Sequence, residues 1–175
     1  MTKLVWLSDL HLSATDRPFG IATKASLSNA LAQLEKNAPN AAGCVISGDL
    51  VNRGIEEDYA ALAELLDGFG LSVFPMVGNH DARQLLRRHL TLPASPMDDF
   101  VQYSVAFEDC TILCLDTQEE GADHGRLCSK RADWLSAALN AQPTMPAIVF
   151  AHHPPAELGL PMQDQDRLKD GDRLL

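Results

Sequence analysis

The sequence predicts an α/β fold built on a parallel sheet. Short apolar runs alternate with stretches of helical period, giving a β-α-β-α-β order in the first half of the chain. Four apolar runs end at once in Asp, Asn or His, as buried strands do when they deliver polar groups at their C-terminal edge. The chain has 175 residues, 46% of them hydrophobic and 22% charged, enough for one domain over 1–175 with a real core.

Residues 4–7 (Leu-Val-Trp-Leu) are the first strand. Residues 23–37 read as a helix, because Leu27, Leu31 and Leu34 fall on one face, and Asn37-Ala38-Pro39-Asn40 ends it. Residues 43–47 are the second strand. Residues 56–69 form a helix with Tyr59, Leu62, Leu65, Leu66 and Phe69 at 3/4 spacing, left through Gly68 and Gly70. Residues 71–77 are the third strand, and right-handed crossovers make this sheet parallel. A short helix is expected over 82–90 and a loop over 91–99, which holds Pro93 and Pro96. Alternation over 101–107 and 111–115 around Glu108-Asp109 reads as a hairpin. Residues 131–140 read as a helix with Trp134, Leu135, Ala138 and Leu139, and 147–151 as a strand. Beyond Pro154 the chain is rich in Pro and Asp, with no period.

Net charge is −10, against a nucleic-acid polymer as partner, which would call for a basic face. A small phosphate ester stays open, since bound cations can reverse the sign of a site. No apolar run approaches the roughly 20 residues of a membrane span, and no signal peptide is expected ahead of the first strand. Cys44, Cys110, Cys114 and Cys128 form no Cys-x-x-Cys pair and read as reduced, buried residues of a cytoplasmic protein.

The blocks that end the apolar runs are Asp9-Leu10-His11, Gly48-Asp49, Gly78-Asn79-His80-Asp81 and His152-His153-Pro154. Carboxylate, imidazole and amide donors together point to two divalent metals, hence to metal-assisted phosphoester hydrolysis. Asp9 and His11, at i and i+2, can converge on one ion. One Asp49 carboxylate has two oxygens and can bridge two cations. Asn79 adds a neutral oxygen suited to Mn, Fe or Mg. His80 with Asp81 reads as an imidazole backed by a carboxylate, fit to protonate a leaving alkoxide. Taken singly, each block is an ordinary turn or cap; four in register with four apolar runs are not.

As they stand, Ser8-Asp9-Leu10-His11, Gly48-Asp49-Leu50, Gly78-Asn79-His80-Asp81 and Ala151-His152-His153-Pro154-Pro155 resemble the calcineurin-like metallophosphoesterases, from about Leu4 to Pro155. Residues 48–54 followed by Glu57-Asp58-Tyr59, then Leu115-Asp116-Thr117, His124-Gly125-Arg126-Leu127 and Trp134-Leu135, are most similar to the cyclic-nucleotide and glycerophosphodiester phosphodiesterase branch. The resemblance implies a four-layer α/β/β/α sandwich with a binuclear centre of two divalent ions (Mn, Fe, Zn or Co). Asp9, His11 and Asp49 would hold the first ion, and Asp49, Asn79 and His152 the second, with a hydroxide between them attacking phosphorus in line. His80, backed by Asp81, would be catalytic. His153, Asn52 and Arg53 are the expected substrate contacts or supports of the ligands. The implied substrate is a small phosphodiester; a phosphomonoesterase or protein phosphatase, or a binding form with impaired catalysis, are the alternatives.

The family's later Gly-His-x-His block does not occur, and each metal is then one histidine short. His124 precedes its glycine, and His89 reads as a helix-surface residue. The expectation is a C-terminally incomplete sandwich, either cut from a longer enzyme or a natural short form with altered metal binding, with an exposed sheet edge that a homodimer would cover or that would leave the chain poorly stable.

Overall fold

The Leu-Val-Trp-Leu run at 4–7 and the Gly-Cys-Val-Ile run at 43–46 are short β-formers bounded by loop residues, and both become strands in the computed structural model, which describes residues 1–175. The chain forms two compact units. One comprises Thr2–Pro75 and His80–Leu92; the other comprises Met76–Asn79 and Pro93–Leu175 with Met1.

In the first unit β1 (Leu4–Leu7), β2 (Gly43–Ile46) and β3 (Val73–Pro75) form a parallel sheet in the order β1-β2-β3, with Leu7 opposite Ile46 and Ile46 opposite Pro75. All four residues of β2 are buried, as a central strand of a parallel sheet requires. The crossovers are α1 (Thr23–Asn37) and α2 (Glu56–Leu66). Leu27 and Leu31 of α1 and Tyr59 and Leu62 of α2 are buried, which is the face read from their spacing. α2 stops three residues before Phe69, because Gly68 takes φ 97° and turns the chain out of the helix. β3 is shorter than 71–77, because Pro75 has no N–H to carry the ladder on. α3 (Arg83–His89) follows. His89 is not a free surface residue: its ring stacks on Tyr59 (centroids 6.3 Å, planes 18° apart), and Nε2 lies 2.7 Å from Glu56 Oε1.

In the second unit β4 (Tyr103–Ala106) and β5 (Thr111–Cys114) form the expected hairpin, closed by Phe107 N donating to Cys110 O at 2.8 Å. β6 (Ala147–Phe150) pairs parallel to β5, giving the order β4-β5-β6. Leu113, Leu115 and Leu135 form the core here, the last from α4 (Ser129–Ala141), with Trp134, Ala138 and Leu174 against them. A five-residue helix, α5 (Pro161–Gln165), lies in the stretch that showed no period.

The α/β class is therefore as the sequence predicts, and the two sheets are those a four-layer sandwich needs. No helix is long and apolar enough to cross a membrane. Cys44 and Cys114 are buried as expected, whereas Cys110 and Cys128 are half-buried; all four are free thiols.

Candidate metal centre

The pairing of β1 with β2 does not stop where the strands do. Ser47 N donates to Leu7 O (2.9 Å), Asp9 N to Gly48 O (3.1 Å), His11 N to Asp49 O (2.9 Å), Leu12 N to Leu50 O (3.1 Å) and Asn52 N to Leu12 O (3.0 Å). The two strand-end loops run zipped together, on a floor of fully buried Leu12, Leu50 and Val51. This zipping places Asp9, His11 and Asp49 side by side. It also forces them into positive φ, at 54°, 40° and 50°. Only four non-glycine residues have positive φ, and three of them are these candidate ligands. Each such residue costs on the order of 1 kcal/mol, and strain of this kind gathers where a site over-determines the backbone.

The donor atoms converge. His11 Nε2 lies 3.5 Å from Asp49 Oδ2 and 4.0 Å from Asp9 Oδ1, and His80 Nε2 lies 4.0 Å from the same Asp49 oxygen. These separations are long for hydrogen bonds. They fit donors on one cation, because bonds of about 2.1 Å put neighbouring donors about 3 Å apart and opposed donors about 4.2 Å apart. Asp49 is buried, its Oδ1 taking the His80 backbone N–H at 3.0 Å. Burying a carboxylate beside a second one, Asp9, is costly unless a cation balances them. The residues present thus fit a divalent metal, and His11, Asp49 and His80 lie close enough together to hold one.

His80 and Asp81 are oriented differently from the sequence reading. His80 Nδ1 meets Asn52 O at 2.7 Å, and a carbonyl only accepts, so Nδ1 carries the hydrogen and Nε2 is left to take or give a proton. The Asp81 carboxylate instead accepts from Leu50 N (3.2 Å), Val51 N (3.4 Å) and the Tyr59 hydroxyl (2.9 Å). Successive residues of the loop point opposite ways, so Asp81 fastens the Asp49 loop from behind while the Asn52 carbonyl orients the imidazole. Gly54 makes room for this: at φ 60°, a Cβ there would lie 2.9 Å from His80 O.

Arg53, expected as a substrate contact or a support of the ligands, is tied up by acids. Its guanidinium is 2.8 Å from Asp16 Oδ2, 3.4 Å from Asp58 Oδ2 and 3.2 Å from Thr15 Oγ1. The hydrogen bond to Asp58 foremost, with the nearby carboxylates, holds its pKa above the ordinary value. Asp58, fully buried, also takes Ala14 N–H at 2.8 Å. Arg53 and Asp58 therefore pin residues 14–16, just past His11. This role of Asp58 carries little signal in the sequence beyond an acid beside an aromatic in the first turn of a helix.

In the second unit, Asn79 Oδ1 and His152 Nε2 lie 3.2 Å apart, a distance that suits a hydrogen bond or two neighbouring donors on one ion. Gln118 Nε2 donates to Gly78 O (2.9 Å) and steadies the Asn79 turn. His153 is held by its neighbours as a support of the ligand turn would be. It is buried, with Nε2–H on Asp123 O (3.1 Å) and Nδ1 accepting from Thr117 Oγ1 (2.7 Å). Burial, then the neighbouring His152, pushes its pKa down to about 3, so the ring is neutral. Gly125 is required beside it, since a Cβ there would fall 2.5 Å from the imidazole. Asp116, paired with buried Arg131 at 3.3 Å, accepts Val101 N and Gln118 N and shapes the turn that carries Thr117. The Leu115-Asp116-Thr117 and His124-Gly125 cues thus serve to seat His153, next in the chain to His152.

A family model described as calcineurin-like phosphoesterase matches residues 2–173. The chain is similar to a probable cyclic nucleotide phosphodiesterase of Rhodopseudomonas palustris, 37% identical over 97% of this chain and 64% of that protein. It is also similar to the glycerophosphodiester phosphodiesterase GpdQ of Enterobacter lignolyticus, 28% identical over 98% of this chain and 64% of that protein. A 3′,5′-cyclic adenosine monophosphate phosphodiesterase of Haemophilus influenzae is 28% identical over 98% of this chain and 62% of its own length. The chain thus spans under two thirds of the length of each of these relatives.

Proposed function

Because the chain belongs to the calcineurin-like phosphoesterase family, we propose that it serves the metal-dependent hydrolysis of small phosphodiesters, either a 3′,5′-cyclic nucleotide or a glycerophosphodiester. The observation that carries this reading is that His11 Nε2 lies within 4.0 Å of both Asp9 Oδ1 and Asp49 Oδ2, on strained, zipped loops. Asp9, His11 and Asp49 hold one divalent ion, and Asn79 and His152 are donors to a second; Mn, Fe, Zn and Co all suit this nitrogen and oxygen set. Bound cations supply positive charge at the phosphoryl oxygens and an activated water.

The protein's own part is orientation and proton transfer. The Asn52 carbonyl fixes the His80 tautomer, so Nε2 faces the Asp49 side of the site. Protonated there, His80 gives its Nε2 proton to the leaving alkoxide, a contribution of about 10²–10⁴-fold for a well-placed general acid. Asp81, Asp58 and Arg53 keep the ligand loops in place. Names of relatives that act on cyclic nucleotides and glycerophosphodiesters support the diester class. Burial pushes the Cys44 thiol up to about 11 and Cys114 to about 12; such inert thiols suit a reducing compartment, and the cytoplasm is the location we propose.

The test is hydrolysis of bis-p-nitrophenyl phosphate against p-nitrophenyl phosphate, by EDTA-treated protein with and without added Mn. Mn-dependent preference for the diester is expected. Strong preference for the monoester would replace this reading with a phosphomonoesterase, and no cleavage of either would leave a binding form.

A further inference from the structure

Phe19 is the fourth non-glycine residue with positive φ, at φ 55° and ψ 21°, and the only one that is not a candidate ligand. Its side chain is also among the most exposed large apolar groups, at 82%. A bulky residue in the left-handed region is a genuine outlier, and leaving a phenyl in water forgoes the burial that would stabilise it. Neither cost is offset by packing beneath the ring. The backbone that carries the ring is nevertheless held in place: Gly20 N donates to Arg17 O and Ile21 N to Pro18 O, both at 2.9 Å, and Pro18 fixes the start of the turn. The phenyl and the imidazole of His11 meet edge to face, with centroids 5.6 Å apart and planes at 80°. An exposed, strained and fixed aromatic ring therefore stands against a proposed metal ligand.

We propose that Phe19 is a stacking platform for the nucleobase of a nucleotide whose phosphate lies at the ion-binding cluster that includes His11. This inference rests on the diester reading and narrows it. A base has an aromatic face to lay on the phenyl, and a nucleotide separates base from phosphorus by one ribose, a span of the order of the ring-to-ring distance. A glycerophosphodiester has no such face and gains nothing from the ring. The strain at Phe19 then has the same origin as the strain at Asp9, His11 and Asp49: the backbone is held where the ligand needs it. Base-on-aromatic stacking is sequence-tolerant, so the platform favours nucleotides as a class over any particular base.

The probe is 2-aminopurine riboside 5′-monophosphate, whose emission is quenched when its base stacks, titrated into the Mn-loaded full chain, with inorganic phosphate as competitor. Saturable quenching is expected for the wild type. Phe19→Leu should weaken probe binding about 10-fold and lose the quench, Phe19→Trp should restore both, and phosphate affinity should be the same in all three. Equal probe affinity and quench in Phe19→Leu would overturn the platform, as would a parallel loss of probe and phosphate binding. The two readings fail separately. Base quenching without cleavage of bis-p-nitrophenyl phosphate removes the diesterase and keeps the platform; cleavage with no difference among the Phe19 variants removes only the platform.

Discussion

β2 and β6 each deliver a candidate ligand just past their last residue, Asp49 and His152, but they do so by different means. β2 is buried along its whole length, pairs on both sides, and runs into a loop zipped to its neighbour and strained at the ligand. β6 is an edge strand paired only with β5, with Ile148 and Val149 exposed at 44% and 38%. What orders the chain after β6 is the side-chain hydrogen bonding of buried His153, not burial of the strand. Backbone burial fixes one ligand; a polar cluster seats the other.

The largest expected effect lies on the β2 side. His80→Ala should keep its metal by elemental analysis while turnover falls about 10²–10⁴-fold, because the ring donates a proton rather than carrying the ion alone. Metal lost together with turnover would show His80 to be chiefly a ligand. Next, Val45→Ala in β2 should destabilise by about 2–3 kcal/mol in urea unfolding, against less than about 1 kcal/mol for Val149→Ala in β6. Equal losses would erase the contrast between the strands.

Asp58→Asn leaves the ligands untouched but loosens residues 14–16. It should weaken Mn binding about 10-fold by calorimetry, with protein stability changed far less than by Val45→Ala. Unchanged affinity would mean that the Arg53–Asp58 link does not reach His11.

The β6 side also carries a pH dependence. His153 is held at about 3, below its ordinary 6.5, so the unfolded chain binds a proton that the folded chain refuses. The stability it contributes is complete above pH 6.5 and drains away as pH falls toward 3, by at most about 1.4 kcal/mol per pH unit. His153→Asn, which keeps a donor and acceptor without titrating, should flatten that stretch of the stability profile. An unaltered profile would place the titration elsewhere.

Most of the fold was legible because periodicity reports burial: β1 and α1 fall on the residues the pattern gives, and the buried faces of α1 and α2 are the ones it names. α5 was not legible, since five residues hold too few turns to show a period. The ligand types were legible because Asp, His and Asn at strand ends are chemically unusual. Their partners were not. Asp81 follows His80 in sequence yet faces away from its ring, and the Asn52 carbonyl that does the orienting is a backbone atom with no signature in residue type. The tie between Arg53 and Asp16 was not legible, because the two lie far apart along the chain. Phe19 gave no sign at all, since its meaning is in its φ and its exposure.

The central claim is that Asp9, His11 and Asp49 converge to hold a divalent cation. Calorimetric titration of Mn into EDTA-treated wild type and Asp49→Ala tests it directly. The wild type should bind Mn, and Asp49→Ala should lose more than about 100-fold in affinity, beyond the loss typical of a residue that only supports a ligand. Asp49→Ala binding Mn with wild-type stoichiometry and affinity would contradict the account.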